Sequence, residues 1–200
     1  MRKSLIISIF LSLFLLEGLV CQVYYTNTGH VNVKSENNIK NIEADNYQIL
    51  SSINMQTGIV KFEGLLKSFE FKLGAIDRVF NSQRINVNQY PKFRFEGKLI
   101  GLDGVDLNSK GQYEVEVQGT LYIWDEKRIT SAKGMVETNG NGSFKASSDF
   151  LMRIEEQSMV KLNKLIDEKL PDVINISTNS IGVDRDIQVG LKADYKLRNW

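Results

Sequence analysis

Between Tyr113 and Trp124 the chain alternates between two kinds of residue. Tyr113, Val115, Val117, Leu121 and Ile123 form an apolar row, and Glu114, Glu116, Gln118, Thr120 and Tyr122 a polar one. Gly119 interrupts the apolar row with a small residue rather than a charge. Successive side chains of a β-strand point to opposite faces, so this stretch predicts a strand with one dry and one wet face. It is about twice the usual strand length of roughly 5–6 residues. A strand this long needs long neighbours of the same patterning.

Other segments supply them. Phe144, Ala146, Ser148, Phe150, Met152 and Ile154 alternate with Lys145, Ser147, Asp149, Leu151 and Arg153. Asn139-Gly140-Asn141-Gly142, two residue types that accept positive φ, predicts the hairpin turn before it. The strand on the other side of that turn runs over Arg128–Thr138, after a turn at Trp124–Lys127. Pro91 opens a strand with Phe93 and Phe95 on one face. In Gly58–Leu73, Val60 and Phe62 share one face and Phe69 and Phe71 share one, with a bulge or bend expected between them at Gly64 and Lys67-Ser68. His30–Val33 predicts a short strand after a polar lead-in from Gln22, and Ile39–Ile53 two strands meeting near Ala44–Asn46. Val173–Ser177 predicts a core strand, and Ile187–Leu197 alternates through Val189, Leu191, Ala193 and Tyr195. Helical spacing is confined to Ala75–Ser82 and to Ser158–Leu170, the latter stopped by Pro171. The fold class is therefore all-β and antiparallel: an up-and-down barrel of about eight strands with one or two short helices.

The first 21 residues stand apart. Arg2 and Lys3 precede an apolar run from Leu5 to Leu16, the anatomy of a secretory signal peptide and too short for a membrane span of about 20 residues. Cleavage is expected after Cys21; a lipid-modified Cys21 is the minor alternative, because Val20 rather than a small residue precedes it. The expected organisation is a leader at 1–21, a barrel domain at 22–181 and an extension at 182–200 with one extra strand. The location is then periplasmic or secreted, with no transmembrane domain in the mature chain. Loss of Arg2, Lys3 and Glu17 leaves 23 basic and 23 acidic residues, a balance that gives no electrostatic grip on nucleic acid.

Catalytic chemistry finds few residues to work with. Cys21 is the one cysteine and His30 the one histidine, so no thiolate or imidazole metal site and no serine–histidine–carboxylate triad can be assembled. A lone strand histidine is most often structural. Glu114 and Glu116 belong to the wet face of their strand, and Glu155-Glu156 is a solvated pair. Asp184 and Asp186 around Arg185 have poor calcium spacing. No cofactor is called for, and the chain reads as no enzyme. What remains is the apolar interior, either a filled core or, in a barrel of about eight strands, a space for one elongated ligand.

Several segments in order resemble the YceI-like family of bacterial exported proteins. They are Gly58-Ile59-Val60-Lys61-Phe62, Ser68-Phe69-Glu70-Phe71, Val79-Phe80-Asn81-Ser82, Tyr90-Pro91-Lys92-Phe93-Arg94-Phe95-Glu96-Gly97, Val117-Gln118-Gly119-Thr120-Leu121 and Ser148-Asp149-Phe150. The resemblance spans about residues 27–178 and implies a lipocalin-like barrel, some of whose members enclose a polyprenyl lipid or quinone. It departs at Trp124-Asp125-Glu126-Lys127, where the family turn is "H-G-V-T" in character, and at Ser147, where the family has arginine. The family's head-group contacts therefore do not carry over.

The resemblance and the patterning together imply storage or transport of an isoprenoid lipid or quinone in the barrel interior. The expected wall is Val60, Phe62, Phe71, Phe93, Phe95, Tyr113, Val115, Val117, Leu121, Phe144, Phe150 and Met152. The rival expectation is a structural or interaction barrel with a solid core. Oligomeric state is left open, a dimer being one option. The leader is testable by itself: amino-terminal sequencing of the exported protein should begin near Gln22, and a chain that still starts at Met1 and needs detergent for extraction would contradict the assignment.

Overall fold

The computed structural model describes residues 22–35, 42–80, 90–124, 126–153 and 186–197. The leader, the Ser158–Leu170 helix and the Val173–Ser177 strand lie outside the described residues, as do Asp184 and Arg185. The strands are β1 (Val23–Ser35), β2 (Ile42–Asn54), β3 (Ile59–Leu65), β4 (Glu70–Phe71), β5 (Lys92–Ile100), β6 (Lys110–Ile123), β7 (Glu126–Asn139), β8 (Phe144–Arg153) and β9 (Asp186–Leu197). One helix, α1 (Gly74–Phe80), lies where helical spacing predicted it, and its expected last residues Asn81 and Ser82 fall outside the described set. The sheet order is β1-β9-β8-β7-β6-β5-β3-β2-β4, and β1 also pairs with β2. That last pairing closes an antiparallel ring of eight strands, with β4 a two-residue spur on β2.

The long strand β6 keeps its predicted phase. It pairs with β7 from Ile123↔Glu126 to Lys110↔Asn139, and Trp124, just after β6, takes φ 54°. Gly140 and Gly142 both take positive φ in the turn between β7 and β8, as that asparagine–glycine stretch predicts. The expected bend near Lys67-Ser68 is a single turn of 3₁₀-helix over Leu66–Ser68.

The first two strands differ from their predicted form. Residues 22–28 are strand rather than lead-in, and Ile42–Asn54 is one strand rather than two. The cause is a pair of compensating bulges around Gly29. The register runs Thr26↔Ser51, Gly29↔Ile49, Val31↔Asn46, so the extra residue passes from β1 to β2. On β2 the buried row is Ile42, Ala44 and Asn46 before the bulge and Ile49, Ser51 and Ile53 after it. A bulge inverts the alternation and sharpens the bend of the strand. A period-2 pattern broken in this way reads as two short strands. Asn46, wholly buried, secures the site: its side-chain amide donates to the Leu65 carbonyl (2.9 Å), and its oxygen accepts from the Gln48 backbone N–H (2.9 Å).

The C-terminal strand is also more than the expected appendage. β9 pairs with β8 from Phe144↔Tyr195 to Arg153↔Asp186 and with β1 on its other side. It belongs to the ring, so the barrel extends past the 182 boundary. Its phase is the one that the alternation predicts, with Val189 and Tyr195 buried.

One end of the barrel is packed solid. Phe144 stacks on Tyr195 (5.0 Å between centroids) and tilts against Tyr24 (5.2 Å), with Ile53 and Val136 buried beside them. The Tyr195 hydroxyl donates to Ser51 Oγ (2.7 Å), which donates to the Lys61 carbonyl (2.8 Å), so a buried chain of hydrogen bonds ties β9 to β2 and β3 across the intervening β1. Burial pushes the Tyr195 phenol up to about 12, opposed by its bond with Ser51.

That burial has a stability consequence. The folded state holds the Tyr195 proton more tightly than the unfolded chain, whose phenol titrates near 10, so the contribution is intact below about pH 10 and is lost as pH rises through about 12. A shift of this size corresponds to about 2–3 kcal/mol. Urea unfolding from pH 9 to 12 should show parent stability falling by that order more than Tyr195→Phe stability. Parallel curves for the two proteins would mean that the phenol is not held neutral by the fold.

Candidate functional site

The other part of the barrel is not packed solid. A cavity of about 170 Å³ runs along its interior, lined almost wholly by apolar side chains. Each wall position follows from strand phase. On β3 and β5 the inward residues are Val60, Phe62, Phe93 and Phe95; on β6 they are Val115, Val117 and Leu121; on β8 they are Phe150 and Met152. These nine expected wall residues all border the cavity.

Three do not. Phe144 lies in the aromatic stack that fills the closed end. Tyr113 belongs to the same inward row of β6 but lies over Gly111, where an added Cβ would sit 2.8 Å from its hydroxyl oxygen. Phe71 stands on the spur strand β4 and packs against Phe80 of α1 (4.8 Å). Of the pair, Phe69, which lies between the 3₁₀ turn and β4, borders the cavity instead. The sequence reading also omitted Ile49, Ile53, Val31 and the β9 row of Val189, Leu191 and Tyr195. The β9 signal was visible as alternation; the β1 and β2 signal was hidden by the phase inversion at the bulges.

Gly119 requires a correction of its own. A glycine on the inward row suggested spare room for a ligand. The room is taken: an added Cβ at Gly119 would meet Phe95 Cζ at 2.6 Å and the Glu96 carbonyl at 2.4 Å. Gly97 lies directly opposite, and its added Cβ would meet the same ring at 2.6 Å. The Phe95 ring therefore lies flat over two facing glycines, an arrangement in which an aromatic shields the exposed backbone of a glycine pair. Phe62 stacks on Phe95 (5.2 Å, 14°) and meets Phe93 edge-on (6.3 Å), and Phe69 closes the group (5.6 Å to Phe93). These four rings occupy one side of the barrel interior, and the cavity runs beside them.

The size of the space matters. An engineered apolar cavity of about 150 Å³ takes up benzene and otherwise stays dry. The space here is of that order, so it accommodates roughly one isoprene unit as it stands. A longer chain must displace rings of the Phe62–Phe95 group.

Polar groups at the border of the cavity are few, and His30 among them is tied up in bonds of its own. His30 Nε2 and Asp45 Oδ1 are 2.7 Å apart, Asn32 donates to the same oxygen (2.8 Å), and the His30 ring stacks on Tyr47 (4.4 Å). Burial would raise the Asp45 carboxyl, but the bonds from Asn32 and His30 and the charges of His30 and Lys72 outweigh it and hold it below its usual range. His30 is thus committed to a structural bond between β1 and β2. Glu116 is turned outward, bonded to Gln118 and Ser131, and held low by those bonds. Trp124 is the one described residue with a buried side-chain nitrogen that lacks a hydrogen-bond partner. Among the described residues no three His, Cys, Asp or Glu side chains gather as a metal ion would need. No described helix is long and apolar enough to cross a membrane.

In comparisons with known proteins, no family model and no curated protein matches the chain. Solved structures do. A polyisoprenoid-binding domain from Saccharophagus degradans, implicated in plant cell wall breakdown, superposes with a TM-score of 0.70 at 11% identity, over 89% of this chain and 99% of that one. Burkholderia cenocepacia BcnA superposes with a TM-score of 0.57 at 12% identity, over 84% of this chain and 96% of that one. A YceI protein with a monobromobimane guest gives a TM-score of 0.49 at 12% identity, over 88% and 86%. At such identities the likeness concerns the fold, and the fold is the one that the sequence motifs implied: a closed, antiparallel, lipocalin-like barrel of the YceI type.

Proposed function

We propose that this chain is an exported, non-enzymatic carrier or store that holds an isoprenoid lipid or quinone in its barrel. The observation that carries the reading is the cavity inside a closed ring, whose surface is almost wholly apolar although Lys192 and His30 touch its border. Burying a hydrocarbon chain there is worth roughly 0.8 kcal/mol per CH₂ before the cost of rearranging the wall. The solved barrel described as polyisoprenoid-binding lends support through its shared fold. The wall itself suggests how a chain longer than one isoprene unit is taken in. Phe62 is only half-buried and is held on Phe95 by ring contact alone, so its ring is the one that swings away from the cavity to lengthen it.

A structural barrel with a solid core is the second reading, favoured by the ring that fills the Gly119 gap and by the modest free volume. One substitution separates the two. Val117 borders the cavity from the middle of β6 and is half-buried. Val117→Trp should abolish uptake of dansyl-labelled geranylgeraniol while leaving a folded barrel, because the indole occupies the free space. If the parent takes up no probe and Val117→Trp costs about 1–3 kcal/mol of stability, the interior is an overpacked solid core instead.

A further inference from the structure

The ring has one weak seam. Between β7 and β8 the ladder runs only from Thr138↔Phe144 to Met135↔Ser147. Both strands continue well beyond it, β7 back to Glu126 and β8 on to Arg153. Each stays fully paired on its other side, β7 to β6 as far as Ile123↔Glu126 and β8 to β9 as far as Arg153↔Asp186. The two edges have therefore parted from each other and not from their sheets. Side-chain bonds span the described part of the gap, among them two from Ser148 and Arg128. Ser148 Oγ donates to the Lys133 carbonyl (2.6 Å), and Arg128 Nη1 donates to the Arg153 carbonyl (2.9 Å).

The surroundings of the seam are apolar on both sides of the wall. Thr130 and Ala132 on β7 and Phe150 and Met152 on β8 border the cavity from within. On the outer face Ile129 is 94% exposed and Leu151 is 68% exposed, the two most exposed large apolar side chains among the described residues. Isolated exposed apolar residues are ordinary. Here they stand on the two facing edges of the one unzipped joint, in line with the apolar space behind it. Widening the joint breaks side-chain bonds and no ladder bond in its unpaired stretch, so it is a place where the wall opens at low cost.

We propose that the β7–β8 seam is a lateral gate through which a hydrocarbon chain passes between the outside and the cavity, clasped by Ser148 and Arg128. This rests on the lipid-binding reading above. A sideways slot lets a long flexible chain slide in along its length, and the clasps hold it shut afterwards. The apolar flanks Ile129 and Leu151 receive the chain before it crosses.

The test uses the full chain with Cys21→Ser, Ile129→Cys and Leu151→Cys, bridged by bismaleimides of graded length, with dansyl-labelled geranylgeraniol as probe. Bridging should slow both uptake and release at least tenfold relative to the unbridged double-cysteine protein and leave the final occupancy unchanged. Independently, Ser148→Ala should speed both steps at least threefold, because one clasp is gone. Rates unchanged by bridging, or parent rates in Ser148→Ala, would overturn the gate and leave the cavity reading intact. A parent protein that takes up no probe at all would overturn the binding reading, and the gate with it.

Discussion

Closure of the ring through β1 is the constraint on which the rest of the structure depends. β1 has to lie between β2 and β9, strands near opposite ends of the chain, and it satisfies both only by bending at Gly29. An added Cβ at Gly29 would lie 3.1 Å from Ile49 Cβ, so glycine lets the two strands approach at the bend. Closing the ring removes the long free edges that β2 and β9 would otherwise expose to other chains. It also converts the inward rows of eight strands into one shared interior, and the hydrogen bonds from Tyr195 to Ser51 to Lys61 tie the closing strands across that interior.

An interior shared in this way is divided between filling and space. At one end the Tyr24–Phe144–Tyr195 stack leaves nothing free. Further along, the Phe62–Phe93–Phe95–Phe69 group fills one side and leaves a cavity beside it. The two kinds of packing differ in what holds them. The closed end is held by a buried hydrogen-bond chain, and the phenylalanine group by ring contacts alone. Dispersion contacts reform readily in a new arrangement, whereas breaking a buried hydrogen bond leaves a polar group unsatisfied. The softer part of the interior is therefore the part that borders the free space, and the β7–β8 seam borders the same space from the wall.

Much of this was legible in the residues. The alternation in Tyr113–Ile123 set the long strand, its phase and its inward row, and asparagine–glycine chemistry marked the hairpin that follows. Nine of twelve expected wall residues border the cavity, because on regular strands phase alone decides which way a side chain faces. What escaped was what phase cannot carry. The bulges at Gly29 and Tyr47-Gln48 invert the pattern midway, so β1 and β2 looked shorter than they are. Past the 3₁₀ turn at Leu66–Ser68, Phe69 rather than Phe71 borders the cavity. β9 was legible as a strand, but its place between β8 and β1 depends on a pairing between the two ends of the chain that no local pattern encodes. Gly119 leaves a gap in the inward row, and no local pattern states that the Phe95 ring of the neighbouring strand lies across it.

The central claim is that the interior holds a hydrocarbon chain, and native mass spectrometry of the protein purified without detergent tests it most directly. The account predicts a population carrying added mass that is released by collisional activation as a neutral isoprenoid species, with the barrel still folded. A single unliganded mass at every activation energy, unchanged after incubation with geranylgeraniol, would contradict it and leave a barrel whose interior serves only to hold itself together.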